Sequence, residues 1–188
     1  MKKIVMMAVM AVAALSANAQ VWVGGNIGFG VDHTNLFDSK NTDKKFFIQP
    51  EVGYSLNDKF DVAIGLGYAY ASTKESSILG KAYDNANTWT VNPYVRYKFV
   101  KAGNFFAFVD GGLGYSSTHY RGASNNVNTF GVAVTPGIAY AVSNKVTLVS
   151  HIGDGLYYKH EWVKDVARSN DFGFNLLNQI SFGAYVNF

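Results

Sequence analysis

From residue 21 onward, bulky apolar residues alternate with small or polar ones in eight separate stretches. Period two marks a strand with two unlike faces, and no helical period competes with it. In the first stretch Val21, Val23, Ile27 and Phe29 share one face, while Trp22, Gly24, Asn26 and Gly28 share the other. The second sets Ile48, Pro50, Val52 and Tyr54 against Gln49, Glu51 and Gly53. The third sets Val62, Ile64, Leu66 and Tyr68 against Asp61, Ala63, Gly65 and Gly67, and the fourth sets Val91, Pro93, Val95 and Tyr97 against Asn92, Tyr94, Arg96 and Lys98. In the fifth, Phe105, Ala107 and Val109 oppose Phe106, Phe108 and Asp110; in the sixth, Val134, Pro136 and Ile138 oppose Thr135, Gly137 and Ala139. The seventh is weaker, with Val146 and Leu148 against Thr147 and His151. The eighth carries Phe182, Val186 and Phe188 against Ser181, Gly183 and Asn187.

The connections alternate too. Short ones fall at 57–59, 100–104 and 141–145, and long polar ones at 32–45, 72–87, 116–128 and 159–171. Strands of about ten residues, with short turns at one end and long loops at the other, predict an all-β fold: an eight-stranded antiparallel up-and-down transmembrane β-barrel. A soluble barrel would hide its apolar face and charge its outside. Here the polar face is mostly Gly, Ala, Ser, Thr and Asn, which suits a narrow lumen, and the bulky face carries almost no charge. Aromatics gather at both ends of the bulky face, Tyr54, Tyr97, Phe99 and Tyr140 near the short turns and Tyr68, Trp89, Tyr115 and Phe130 near the long loops. Two such girdles flanking an aliphatic band match the two membrane interfaces.

The first residues, MKKIVMMAVMAVAALSANAQ, read differently. Lys2 and Lys3 precede an apolar run too short to span a bilayer, and Ala17-Asn18-Ala19 supplies small residues for cleavage. Residues 1–19 are expected to be a secretory signal peptide and 20–188 the barrel domain. Without the two leader lysines, acidic and basic residues nearly balance, which argues against nucleic acid as a partner. The chain has no cysteine, hence no disulfide, thiolate metal site or thiol nucleophile.

All three prolines, Pro50, Pro93 and Pro136, recur at a spacing of 43 residues within one pattern, IQPEVGY, VNPYVRY and VTPGIAY. A proline inside a closed barrel has no edge on which to hide its missing N–H, so a bulge or an interrupted ladder is expected beside each.

With the leader, the eight strands, the repeated proline strands and the terminal aromatic, the chain resembles the outer membrane protein β-barrel domain family, of OmpA/OmpX-like type. The resemblance implies a porin-like bacterial outer-membrane location, with long loops extracellular and short turns periplasmic. The ending SFGAYVNF is similar to the insertion signal read by the barrel-assembly machinery, here carried by Ser181, Gly183, Val186 and Phe188; Val186 stands where an aromatic is commoner. No peptidoglycan-binding domain is expected after Phe188, so the resemblance does not imply the cell-wall role of longer members.

The lumen parity carries Glu51, Asp61, Arg96, Lys98, Asp110 and His151. Buried charges need partners, and these are expected to form a neutralising network that plugs the lumen. No catalytic, cofactor or metal site is expected. No histidine has a serine two residues on, as a lipid A deacylase barrel would, and Val21 begins a strand at once, leaving no amphipathic helix of the palmitoyltransferase kind. His33, His119 and His160 fall in the long loops. These loops also hold the apolar pairs Leu36-Phe37, Ile78-Leu79 and Trp162-Val163. Their basic residues, Lys40, Lys44, Lys45, Lys74, Lys81, Arg121, Lys159, Lys164 and Arg168, suit anionic lipopolysaccharide. The expected protein is a monomeric structural or surface-interaction barrel. Its partners are outer-membrane lipid, lipopolysaccharide, the assembly machinery and an extracellular protein or host ligand. A small channel is the alternative, and a lipid-modifying enzyme the third reading.

Overall fold

A computed structural model describes residues 21–36, 39–77, 80–164, 167–176 and 180–188; the expected signal peptide lies outside them. Six strands run without a break: β1 (Val21–Leu36), β2 (Ser39–Ser55), β3 (Phe60–Ser77), β4 (Gly80–Ala102), β5 (Phe105–Tyr120) and β6 (Val127–Ala141). The seventh barrel strand comes in two pieces, β7 (Val146–Ile152) and β8 (Gly155–Val163), and so does the eighth, β9 (Ala167–Asn175) and β10 (Ile180–Asn187). Each strand is antiparallel to its neighbour, and β1 pairs with β10 from Trp22↔Asn187 to Gly28↔Ser181. The result is a closed eight-stranded antiparallel barrel. Closure satisfies the backbone without an edge, which a chain surrounded by lipid requires.

The short turns are tied by side chains. Asn57 Oδ1 accepts from the backbone N–H of Lys59 and Phe60 at 2.9 and 3.0 Å, and Ser143 Oγ accepts from Lys145 and Val146. Between β4 and β5, Gly103 takes a left-handed φ of 62°. The other ends differ from the sequence reading. The expected long loops at 32–45 and 72–87 are largely paired strand, with ladders reaching Leu36↔Ser39 and Ser77↔Gly80. Alternation of apolar and polar residues fades where both faces meet water, so the pattern stops at the membrane and the pairing does not. At a strand rise of about 3.3 Å per residue, the 23 residues of β4 far exceed an apolar band about 25 Å tall. The hairpins therefore stand clear of it.

The ladder is interrupted on one side of every proline. Between β2 and β3 pairing jumps from Ile48↔Tyr68 to Glu51↔Gly65, passing Gln49 and Pro50. Between β4 and β5 it jumps from Val91↔Tyr115 to Tyr94↔Gly112, passing Asn92 and Pro93. Pro136 lies where β6 changes partner, from Leu156 of β8 at Val134 to His151 of β7 at Gly137. Here the neighbouring strand bends through Gly153 and Gly155, both with φ near 65°. Missing N–H groups thus coincide with missing ladder bonds.

The hydrophobic inside and polar outside of a soluble protein are exchanged. Leu66, Ile138 and Phe182 are 56%, 51% and 63% exposed, as are many aliphatic and aromatic neighbours on the same face. What is buried is a lumen cluster of Trp22, Tyr94, Phe108, Ala139, Val149 and Tyr185, mixed with Asn26, Glu51, Asp61, Arg96, Asp110 and Ser181. The lumen aromatics follow a rule. Trp22 stands opposite Gly53, Tyr185 opposite Gly24, Phe47 opposite Gly28 and Phe108 opposite Gly137. A Cβ at any of these glycines would overlap the facing ring. Each ring lies flat across the neighbouring strand in space that only glycine leaves.

Candidate functional site: the charged lumen

Arg96 and Asp110 are direct cross-strand partners on β4 and β5, so their side chains meet inside the barrel. Arg96 Nε donates to Asp110 Oδ1 at 2.8 Å and Nη2 to Oδ2 at 2.7 Å, a bidentate pair. Arg96 is 1% exposed. Its guanidinium carbon lies 4.0 Å from the centre of the Phe108 ring and 5.0 to 5.8 Å from those of Tyr185, Tyr94 and Trp22. A planar cation held among ring faces is stabilised by the rings' quadrupoles as well as by its carboxylate.

Glu51 is 4% exposed and has no cation bonded to it among the described residues. Neutral donors surround it instead. Asn26 Nδ2 and Gln49 Nε2 each reach Oε1 at 2.7 Å, and the Tyr94 and Tyr185 hydroxyls reach Oε2 at 2.7 and 3.2 Å. Arg96 Nη2 donates to the Tyr185 hydroxyl at 3.0 Å, so Tyr185 joins the two carboxylate centres. His151 completes the group, its Nε2 lying 2.8 Å from Asp110 Oδ2 and its Nδ1 3.4 Å from Ser181 Oγ. Lys98 and Asp61 form a separate pair nearer the short turns, 2.8 Å apart, with Lys98 Nζ 5.7 Å from the Phe106 ring centre.

Of the six charged lumen residues read from the sequence, the structure thus joins Glu51, Arg96, Asp110 and His151 and sets Asp61–Lys98 apart. Sequence reasoning missed the members that carry no charge: Tyr94, Tyr185, Trp22, Phe108, Asn26 and Gln49. A signal for the aromatic ones was present, since large rings on a parity otherwise filled by Gly, Ala, Ser and Thr must occupy the lumen. Above the cluster lies a half-enclosed cavity of about 530 Å³, with Glu51, Tyr94, Asp110, His151 and Ser181 among its lining and Lys45, Tyr68, Thr129 and Lys159 higher up.

Ser181 and Gly183 face the lumen from β10, while Val186 and Phe188 face outward, and Phe188 N–H donates to Val21 O at 2.9 Å across the closing seam. His119 and His160 bond the side chains of Asn126 and Asn170. Trp162 lies against Tyr115 and His160. Phe37, Ile78 and Leu79, and the side chains of His33, Leu36, Lys40, Lys74 and Lys81, lie outside the described residues. Among the described residues, no group of three or more acidic, histidine or cysteine side chains is placed to hold a metal.

A closed eight-stranded barrel with an apolar outer face and a polar, side-chain-filled lumen defines the class of small integral outer-membrane barrels. The chain belongs to the outer membrane protein beta-barrel domain family, whose model matches residues 4–188. It is similar in fold to the outer membrane protein OprG from Pseudomonas aeruginosa, at 12% identity and a TM-score of 0.58, over 90% of this chain and 96% of that one. It is likewise similar to Neisserial surface protein A, at 17% identity and a TM-score of 0.54, over 89% and 97% of the two chains. No curated protein sequence matches the chain. The protein is thus a bacterial outer-membrane barrel.

Proposed function

We propose that this barrel does not conduct and that its work is done at the cell surface, through the hairpins that stand above the membrane at the extracellular end. The observation that carries this reading is the Arg96 cluster. A guanidinium, its carboxylate and four rings crowd the narrow lumen of the eight-stranded barrel below the cavity. Exposed Lys45, Arg121, Lys164 and Arg168 near the long-hairpin end support contact with lipopolysaccharide or an acidic partner. Ser181, Gly183, Val186 and Phe188 serve assembly, read as a strand that presents both of its faces.

The test is single-channel recording of the refolded mature protein in a planar bilayer, beside Arg96→Ala. Silence from the wild type is the expected result. A steady wild-type conductance that Arg96→Ala alters would overturn the proposal and make transport the function. That second reading, a small channel, is favoured by the cavity, which reaches from the long-hairpin end down to Glu51 and His151. At the long hairpins His119 and His160 are each bonded by an asparagine, so a lipid-modifying activity is not read from these two histidines.

A further inference from the structure

The floor of the lumen cavity holds a second arrangement, built on the upper edge of the plug. Ser181, His151 and Asp110 all line the cavity and are joined in series. His151 Nε2 lies 2.8 Å from Asp110 Oδ2, and His151 Nδ1 lies 3.4 Å from Ser181 Oγ. Two groups meet Nε2, the Asp110 carboxylate and, farther off, the Arg96 guanidinium. Asp110 Oδ2 only accepts and lies at 2.8 Å, whereas the donor Arg96 Nη2 lies at 3.4 Å, so the shorter contact assigns the hydrogen to Nε2. Nδ1 is then the ring nitrogen left to accept, and it faces the Ser181 hydroxyl. Arg96 holds both oxygens of Asp110, sharing Oδ2 with His151, and so fixes the carboxylate beside the ring. A nucleophile within reach of a base that a third group orients is the pattern of an activated serine. The two ring nitrogens exchange roles relative to the serine-protease arrangement, which leaves the proton path unchanged. The Ser–His separation is long, as such bonds commonly are before a substrate binds.

We propose that Ser181 is an acyl-acceptor site for small activated carboxylic esters that enter the cavity from the long-hairpin end. Ser181 Oγ attacks the ester carbonyl and forms the new C–O bond as its proton passes to His151 Nδ1. The bond to the leaving group then breaks, and the departing oxygen takes the proton back from Nδ1. The products are an O-acyl serine and a free alcohol or phenol. At Ser181, β10 is paired on both sides, with Gly28 and with His151, so its own main chain is engaged in the ladder and is not aimed at an oxyanion. That restricts the reaction to esters with good leaving groups. It also makes the adduct slow to hydrolyse, so one transfer per barrel is expected instead of turnover.

The test uses the whole refolded mature barrel and p-nitrophenyl acetate. The expected result is a burst of one p-nitrophenolate per barrel, with the mass of one acetyl group on the peptide containing Ser181. Ser181→Ala should abolish the burst, and His151→Gln should slow it by about 10²-fold, the lower range for general-base assistance. Circular dichroism checks that both variants are folded, and His151→Gln leaves the assembly strand untouched should Ser181→Ala fail to insert. Acetyl absent from Ser181, or a rate that His151→Gln does not change, overturns the proposal. Bilayer conductance is a separate readout, so failure here leaves the closed-lumen reading standing.

Discussion

Tyr185, two residues before the end of β10 at Asn187, donates to Glu51 and accepts from Arg96 at 3.2 and 3.0 Å. One hydroxyl thereby couples a carboxylate that has no cation to a cation that has its own carboxylate. The stability of the lumen should therefore be sensitive to single changes and tolerant of paired ones.

For the Arg96–Asp110 pair the expectation is asymmetric. Removing Arg96 alone leaves the buried Asp110 carboxylate with His151 as its one remaining side-chain partner among the described residues, and breaking such a pair costs about 3–5 kcal/mol. Replacing both residues with apolar ones of similar size, Arg96→Met with Asp110→Leu, should lose less than Arg96→Ala does. Equilibrium urea unfolding of the refolded barrel in lipid measures both, and equal losses would contradict the pairing.

Glu51 should respond differently. Its two oxygens accept from four neutral donors. A Glu51→Gln side chain presents an amide to donors that cannot accept from it without turning. A loss of about 1–3 kcal/mol is expected, the desolvation penalty of an unmade buried bond. Unfolding midpoints of the variant and the wild type, compared in the same lipid, give the value. Unchanged stability would mean that Glu51 is not enclosed by these donors.

The glycines opposite the rings give a paired test. Gly137→Ala drives a methyl into Phe108, which overpacking makes unfavourable by about 1–3 kcal/mol. Gly111, on the neighbouring strand, has nothing within 4 Å of its added Cβ, so Gly111→Ala should be neutral or slightly stabilising. Thermal unfolding of the two variants side by side separates ring contact from strand propensity.

On the outer face, Leu66 lies six residues above the start of β3 and is 56% exposed. Leu66→Arg places a charge well inside the apolar band and should destabilise the inserted barrel by about 2–4 kcal/mol. The measurement is the reversible folding equilibrium in bilayers. A neutral result would put this face in contact with water.

Much of this molecule was legible in its alternation. Period two assigns Leu66 outward and Gly65 inward without ambiguity, and it places Glu51, Arg96, Asp110 and His151 on one lining. It does not say which of them touch. Strands in a closed barrel are tilted and staggered, so residues at equal counts from the turns stand at different heights. Arg96 meets Asp110 because β4 and β5 pair in that register, a non-local fact. Glu51 was grouped with the cations by sign, yet tyrosine and amide donors serve it. The hairpins above the membrane were illegible for another reason: both their faces meet water, and period two disappears while the ladder continues.

The ring-over-glycine pairs also bear on how the cylinder finds its circumference. Tyr185 sits opposite Gly24 on the first strand and touches Arg96 and Glu51, 89 and 134 residues earlier in the chain. None of those contacts exists until the last strand meets the first. A seam slipped by one residue would turn Ala184 or Val186 inward. A slip of two would bring Gly183 or Asn187 to the same spot, and neither carries a phenol. The interior thus works as a gauge as well as a filler, since only one seam seats its final ring.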